Sequence, residues 1–171
     1  MLENAESTGA EAVPEQDELT LVITREFQVP ARAVWAALVD PDQAALWWGP
    51  RGFRALRETI DADLEIGTPY RACLLEDATG QEHWFSGVIT DLEPPTLFVF
   101  THAWEKVDGT RGFETEGAFR LEDIDGGTRL VFTQGPFDTA DHRDAHGSGW
   151  RESFDRLADH LRRAAGGSGD R

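Results

Sequence analysis

The side chains in this sequence that are best suited to chemistry are its histidines. His142 and His146 are four residues apart, so on a helix they would share one face with Trp150. Two imidazoles one helical turn apart can bind zinc. The residues between them lack the glutamate of an H-E-x-x-H motif, and no third ligand is apparent. We therefore expect no metal site, and we expect these histidines to pack on aromatic rings or to meet solvent.

A second pair of histidines, His83 and His102, falls on two strands that we predict to be neighbours. Glu82, Glu105 and Asp91 are close to them in the sequence. An imidazole beside a carboxylate could act as a general base. The alternative is that each histidine lies on the surface or lines the interior without reacting, and we consider this the better interpretation.

Nucleophilic catalysis has little support in the sequence. There is no G-x-S-x-G motif. Cys73 lies in the middle of an apolar strand, where a thiol is normally buried and inert. Gly126-Gly127 is typical of a hairpin turn, not of a loop that binds phosphate. We therefore predict no catalytic residue and no cofactor.

The hydropathy pattern predicts an α+β domain. Leu19–Val29 alternates like a strand, and two short helices follow, separated by Asp40-Pro41. Turn residues then separate six further strands. We place these strands near residues 54–61, 67–76, 82–92, 96–105, 112–123 and 128–135.

The last element is a helix, because four large apolar residues recur at helical spacing: Trp150, Phe154, Leu157 and Leu161. Consecutive hairpin connections imply an antiparallel sheet. We predict a helix-grip fold, in which a curved seven-stranded antiparallel sheet surrounds the long C-terminal helix. The two short helices would lie between strands 1 and 2.

A sheet that curves around a helix leaves space that side chains fill or a ligand occupies. On strand 112–123 the charged residues alternate with a face that must point toward the helix. That face carries small residues, Thr115 and Gly117, which should form the floor of a cavity. For strand 96–105 both faces are apolar, and the sequence does not choose between them. The predicted ligand-binding residues are Trp48, Phe85, His102, Trp104, Phe113, Thr115, Gly117, Phe119, His146, Trp150 and Phe154.

Composition sets the limits of the domain and of its partners. The net charge is −16, which disfavours nucleic acid and anionic membranes as partners. A single cysteine and the lack of a signal peptide or a long apolar segment favour the cytoplasm. We expect a disordered acidic tail at 1–18, one domain at 19–165 and a flexible end at 166–171. The domain would be a monomer or a homodimer.

Several motifs of this sequence resemble those of a known family. Arg25 to Pro41 resembles the signature R-E-F-x-V-P-x-x-x-V-W-x-A-L-x-D-P, and Trp47 to Pro50 resembles W-W-x-P. Phe85 to Val88, Gly127 to Leu130 and the closing Gly149-Trp150 continue the match. Together they resemble the START-like (SRPBCC) superfamily, in its branch of homologues of the activator of the heat-shock-protein-90 ATPase. The resemblance covers about residues 19–162 and implies the same helix-grip fold, without shared catalytic residues.

Three functions are consistent with these observations. The first is a non-catalytic module that encloses a small apolar or aromatic molecule between the sheet and the C-terminal helix. The second, implied by the resemblance, is a chaperone cofactor, although the chain lacks the extra N-terminal domain of the eukaryotic activators. The third is a cyclase or isomerase that acts in the same cavity. We expect the first.

Overall fold

The computed structural model describes residues 18–60 and 64–169. The acidic tail predicted for residues 1–18 therefore lies outside the described residues, except for Glu18. Strand β1 spans Leu21–Phe27, and helices α1 and α2 span Ala31–Val39 and Pro41–Trp47. The other elements are β2 at Phe53–Ala55, β3 at Pro69–Glu76, β4 at Glu82–Glu93, β5 at Leu97–Trp104, β6 at Thr115–Ile124, β7 at Gly127–Gly135 and α3 at Ala140–Gly169.

The seven strands form one curled antiparallel sheet in the order β1-β7-β6-β5-β4-β3-β2. Each strand from β2 to β6 pairs with the next one along the chain. β1 closes the other edge by pairing with β7. The predicted helix-grip architecture, including two short helices between the first two strands, is confirmed.

The two short helices follow from local sequence signals. Pro30 precedes α1, and the chain leaves the helix at Asp40. The Asp40 side chain then accepts a hydrogen bond from the backbone N–H of Asp42 (3.0 Å), while Pro41 occupies the first turn of α2. An aspartate at the N-cap followed by proline is a favoured start for a helix. This predicted break between the helices is therefore confirmed.

Helix α3 buries the apolar stripe that its spacing predicts. Phe154, Leu157 and Leu161 are buried, and Trp150 packs against the same core. This core also receives side chains from α1, from α2 and from β1, β6 and β7. The backbone of α3 continues to Gly169, beyond the predicted end of the domain at residue 165.

The predicted strand bounds differ most from the structure at β2 and β6. β2 ends at Ala55, and Arg57–Thr59 form a turn of 3-10 helix instead. The chain leaves the ladder there because the Thr59 hydroxyl, not a backbone carbonyl, accepts the Cys73 N–H (3.1 Å). β6 begins at Thr115, three residues later than the predicted start at 112.

The pairing of β4 with β5 is interrupted at Gly87. A Cβ atom at this position would lie 1.9 Å from the Thr101 carbonyl oxygen, so only glycine fits. The neighbouring Val88 N–H bonds to the Thr101 hydroxyl (2.9 Å) instead of to a carbonyl. The Tyr70 hydroxyl donates to the Thr101 carbonyl oxygen (2.5 Å) from the next strand. The Tyr70 hydroxyl therefore lies where the backbone pairing of β4 with β5 is interrupted.

Candidate functional site

Six aromatic or imidazole side chains meet on the concave side of the sheet, near the start of α3. We call them the aromatic cluster. Its members come from the loop after α2, from β3, β4 and β5, and from α3: Trp48, Tyr70, Phe85, His102, Trp104 and His146. Phe85 lies at the centre, with its ring 5.2–6.3 Å from those of Trp48, Tyr70, His102 and Trp104. Trp104 is 37% exposed, so solvent reaches the cluster from this side.

The structure shows which face of β5 lines the interior, a point that the apolar sequence of this strand leaves open. Phe100, His102 and Trp104 all contact rings of the concave side, so this alternating set faces inward. The His102 ring stacks on Phe85 (5.2 Å between ring centroids, 28° between planes) and is only 7% exposed. Burial, with smaller contributions from His146 and Arg111, lowers the pKa of His102 to about 3. His102 is therefore neutral at physiological pH.

His146 joins α3 to this part of the sheet. The Trp104 indole N–H donates to Nε2 of His146 (3.2 Å), so this nitrogen carries no proton. The ring also lies 4.8 Å from Phe137 and 5.9 Å from His102. Burial, and to a lesser degree His142, lowers the pKa of His146. The second imidazole of the cluster is thus held in its neutral form as well.

A chain of polar side chains lies beside the cluster. The Trp150 indole N–H donates to Gln134 Oε1 (2.8 Å), and Gln134 Nε2 donates to the Thr115 hydroxyl (2.9 Å). Gln134 is completely buried. The three side chains satisfy one another, as buried polar groups normally do. Burial raises the pKa of Tyr70 in the aromatic cluster, so this side chain is neutral as well.

Gln134 and Tyr70 were not among the predicted site residues. A signal for Gln134 exists in the sequence, because Thr128, Leu130, Phe132 and Gln134 alternate along β7 and must share one face. A glutamine that continues an inward-facing series has to find a hydrogen-bond partner inside. Tyr70 has no comparable signal, since its role depends on the interrupted ladder.

Two of the predicted cavity residues behave differently in the structure. Gly117 does face inward, but a Cβ atom there would lie 2.4 Å from the Phe100 ring. The space above Gly117 is therefore filled by Phe100 and is not an open floor. The prediction that Phe113 lines the interior is wrong, because its side chain is 54% exposed. Phe113 precedes the start of β6 and so does not share the sheet's inward-facing register.

The other nine predicted residues fall into three groups. Phe85, His102, Trp104, Trp48 and His146 come together in the aromatic cluster, as described above. Phe119, Trp150 and Phe154 pack against one another in the core under α3, with ring centroids 5.4–6.4 Å apart. Thr115 belongs to the polar chain beside them.

The predicted histidine–carboxylate pairs form with other partners. His83 contacts Glu76 (3.2 Å) and not Glu82 or Glu105. Glu105 is occupied by Arg71, whose guanidinium makes a bidentate contact (2.8–3.1 Å) and lowers the pKa of that carboxyl. His142 is exposed and contacts Asp138 (2.6 Å). Within residues 18–60 and 64–169, no three histidine, cysteine or acidic side chains are arranged to hold a metal ion.

Arg156 of α3 holds the loop that carries Trp48. Its guanidinium donates to the carbonyl oxygens of Gly49 (2.8 Å) and Phe53 (2.9 Å), with longer contacts to those of Trp48 and Pro50 (3.4 Å each). The carbonyls of Trp48, Gly49 and Pro50 belong to the irregular segment between α2 and β2, which has no strand ladder to satisfy them, and Phe53 is the first residue of β2. The position of Trp48 in the cluster therefore depends on the C-terminal helix.

A cleft of about 690 Å³ lies among residues of β3, β4 and the loop between β5 and β6. Its walls include Arg71, Ser86, Glu105 and Arg111. Arg71 binds Glu105, and Arg111 binds the Ser86 hydroxyl (2.9 Å) and carbonyl (2.8 Å). Tyr70 of the aromatic cluster also lines this cleft. An apolar ligand in the cleft would lie against charged groups that already satisfy one another. The aromatic cluster is therefore the better candidate site.

A curled sheet around a long helix, with an uncharged aromatic cluster on its concave side, defines a START-like, helix-grip domain. The model of the family described as "Activator of Hsp90 ATPase homolog 1-like protein" matches residues 28–162. The chain belongs to this family. No curated protein matches it. Of the described residues, none form a helix long and apolar enough to cross a membrane.

Solved structures of bacterial proteins share this fold. The AHSA1 protein of Silicibacter pomeroyi is 30% identical, with a TM-score of 0.77 over 83% of this chain and 96% of that one. A protein of Chromobacterium violaceum is 24% identical (TM-score 0.75, covering 84% and 96%). A protein of Arthrobacter aurescens is 21% identical (TM-score 0.76, covering 86% and 88%). The last two likenesses concern the fold alone.

Proposed function

We propose that this protein is a non-catalytic module that binds a small, largely apolar aromatic molecule at the aromatic cluster. The observation that carries the proposal is the contact of buried Phe85 with four other rings of the cluster, one of which, Trp104, is exposed to solvent. Pockets for small molecules are typically apolar and aromatic, with a few polar groups that orient the ligand. His102 and His146 are the polar groups here.

The ligand would enter beside Trp104, where β5 meets α3. The Trp104–His146 hydrogen bond joins the two elements at this place. One such bond contributes only about 0.5–1.5 kcal/mol, so a ligand that stacks on the two rings offsets its loss. Because the Phe100 ring fills the space above Gly117, we expect the ligand among the cluster rings and not under the middle of α3.

The state of His102 argues against a cyclase or an isomerase. A general base works best when its pKa is near the working pH. The pKa of His102 is about 3, and the carboxylates predicted to assist it have other partners. A base this weak would contribute little to proton transfer, even next to a substrate bound in the cluster.

The test is a fluorescence titration with N-phenyl-1-naphthylamine, a neutral aromatic probe. We expect saturable binding, and Trp104→Ala should weaken it about 2- to 10-fold, because one aromatic contact is worth about 0.5–1.5 kcal/mol. The matched control is Val22→Ala, which removes an exposed apolar side chain from β1 and should leave the affinity unchanged. A native protein that does not bind the probe, or equal effects of the two variants, would refute the proposal.

The family description supplies a second candidate, a cofactor of a heat-shock-protein-90 chaperone. The match over residues 28–162 includes nearly the whole described domain. Its test is the ATPase rate of such a chaperone with and without the protein. Stimulation that persists in Trp104→Ala would favour this candidate over ligand binding, because the surface used would then be another one.

A further inference from the structure

The aromatic cluster presents no charged side chain. Its six members are two tryptophans, a tyrosine, a phenylalanine and two histidines. Burial is the main reason that the histidines stay unprotonated and that the tyrosine keeps its proton. An environment that disfavours the charge of its own side chains disfavours the charge of a ligand for the same reason.

The charged side chains around the cluster have partners elsewhere. All three nitrogens of the Arg111 guanidinium are engaged, two with Ser86 and one with Glu114 (2.8 Å). Arg156 donates hydrogen bonds to the carbonyl oxygens of Gly49 and Phe53. Neither guanidinium is available to neutralise an anionic ligand without losing these hydrogen bonds.

The polar groups inside are also committed. Gln134 Oε1 accepts from Trp150, and its Nε2 donates to Thr115. The Trp104 indole N–H is directed at His146. These are dipoles, which can orient one polar atom of a ligand but cannot replace the hydration of a full charge.

We propose that the cluster selects neutral planar aromatic molecules and excludes analogues that carry a carboxylate or an ammonium group. This inference rests on the proposed function, since it specifies the ligand class of the same site. It excludes aromatic acids, which otherwise share the size and shape of such a ligand. The whole chain, with a net charge of −16, further repels anions.

The test uses three competitors that share one ring system and differ in a single substituent. They are 1-naphthalenemethanol (neutral), 1-naphthoate (anionic) and 1-naphthylmethylammonium (cationic). Each displaces N-phenyl-1-naphthylamine from the native protein at pH 7.5. We expect the alcohol to compete at least about tenfold better than either ion, because burying an unpaired charge costs well over 1.4 kcal/mol.

A pair of variants tests the cause. Trp104→Lys places a cation at the cluster, and it should shift the ratio of naphthoate to alcohol affinity toward naphthoate by about tenfold. Val107→Lys makes the same change of charge at a fully exposed position and should leave the ratio within about twofold. Equal shifts in both variants would show that net charge, not the cluster, decides the selectivity.

The outcomes separate the two proposals. If native protein binds neither N-phenyl-1-naphthylamine nor any competitor, the proposed function fails. If it binds the probe and an ion competes as well as the alcohol, binding stands and the selection of neutral molecules is overturned. This second comparison needs only the native protein, so it holds even if Trp104→Lys does not fold.

Discussion

At the scale of single residues, the distinctive feature is a pair of histidines that the fold keeps uncharged. The His102 ring stacks on Phe85, and Nε2 of His146 accepts a hydrogen bond from the Trp104 indole N–H. The unfolded chain exposes both imidazoles to water, where their ordinary pKa is about 6.5. Folding and protonation therefore compete at these two positions.

This competition predicts a pH dependence of stability. As the pH falls through 6.5, unfolded His102 takes up a proton that the folded protein accepts only near pH 3, so acid favours unfolding. We expect His102 to account for a loss of about 1.4 kcal/mol of unfolding free energy between pH 7.5 and pH 5.5. Denaturant titration of native protein and of His102→Phe at the two pH values measures it.

The variant should lose less stability than the native protein over this interval. His142→Gln is the control, because His142 is exposed and its removal should leave the larger loss in place. If His102→Phe and native protein lose the same free energy, His102 is solvated and the neutral cluster is wrong.

At the scale of elements, helix α3 both completes the core and positions the site. Phe154 and Leu157 are fully buried against the sheet, while Arg156, between them in sequence, reaches the loop after α2. One helix thus connects the packing of the sheet to the placement of Trp48. Damage to its apolar face and damage to Arg156 should have different consequences.

Trp150→Ala should strongly destabilise the domain. Its ring lies 4.3 Å from Phe132 and 5.4 Å from Phe154, and its indole N–H is the partner of buried Gln134. Removing a large aromatic side chain from a core costs about 3–5 kcal/mol. Trp150→Phe, which keeps most of the ring contacts and loses the hydrogen bond, should cost clearly less. A loss below about 1 kcal/mol for Trp150→Ala in denaturant titration would contradict this packing.

Arg156→Gln should lower both stability and probe affinity. It leaves the Gly49 and Phe53 carbonyls without their donor, at a cost of about 1–3 kcal/mol, and it frees the loop that carries Trp48. Arg163→Gln changes the same residue type at an exposed position of α3 and should cost less than about 0.5 kcal/mol. If Arg156→Gln destabilises the protein without weakening N-phenyl-1-naphthylamine binding, Trp48 does not contribute to the site.

At the scale of the whole molecule, the first two residues that the structure describes are hydrogen-bonded to the C-terminal part of the domain. Arg143 of α3 donates to the Glu18 carbonyl, and the Phe137 N–H donates to the Leu19 carbonyl (2.9 Å). Residues 18 and 19 are therefore tied to the segment that leads into α3. The acidic sequence before them stays a predicted disordered tail.

Deletion of residues 2–17 should change Tm by less than about 2 °C, because we expect this acidic segment to be disordered and a disordered segment has no contacts to lose. Deletion of residues 2–22 removes the two tethers and the start of β1, and it should lower Tm by at least about 4 °C. Differential scanning calorimetry of the two proteins decides this. A large drop in the shorter deletion would mean that the acidic segment packs on the domain.

The sequence by itself determined the elements and much of their orientation. Asp40-Pro41 predicts the break between the two short helices, and the spacing of Phe154, Leu157 and Leu161 predicts the buried face of α3. These features are local, because they depend on the geometry of one helix or one strand. Even the inward face of β6 followed from its own alternation of charged and uncharged residues.

The content of the interior was decided only by the tertiary structure. Gly117 is small, but the Phe100 ring from the neighbouring strand occupies the space beside it. Phe113 has the right residue type for the site, yet β6 begins too late to bring it inside. His102 is neutral because Phe85 of β4 and His146 of α3, together with Trp104 of its own strand, exclude water from it. Volume and hydration at a point depend on every chain segment that reaches it, and no local pattern contains that information.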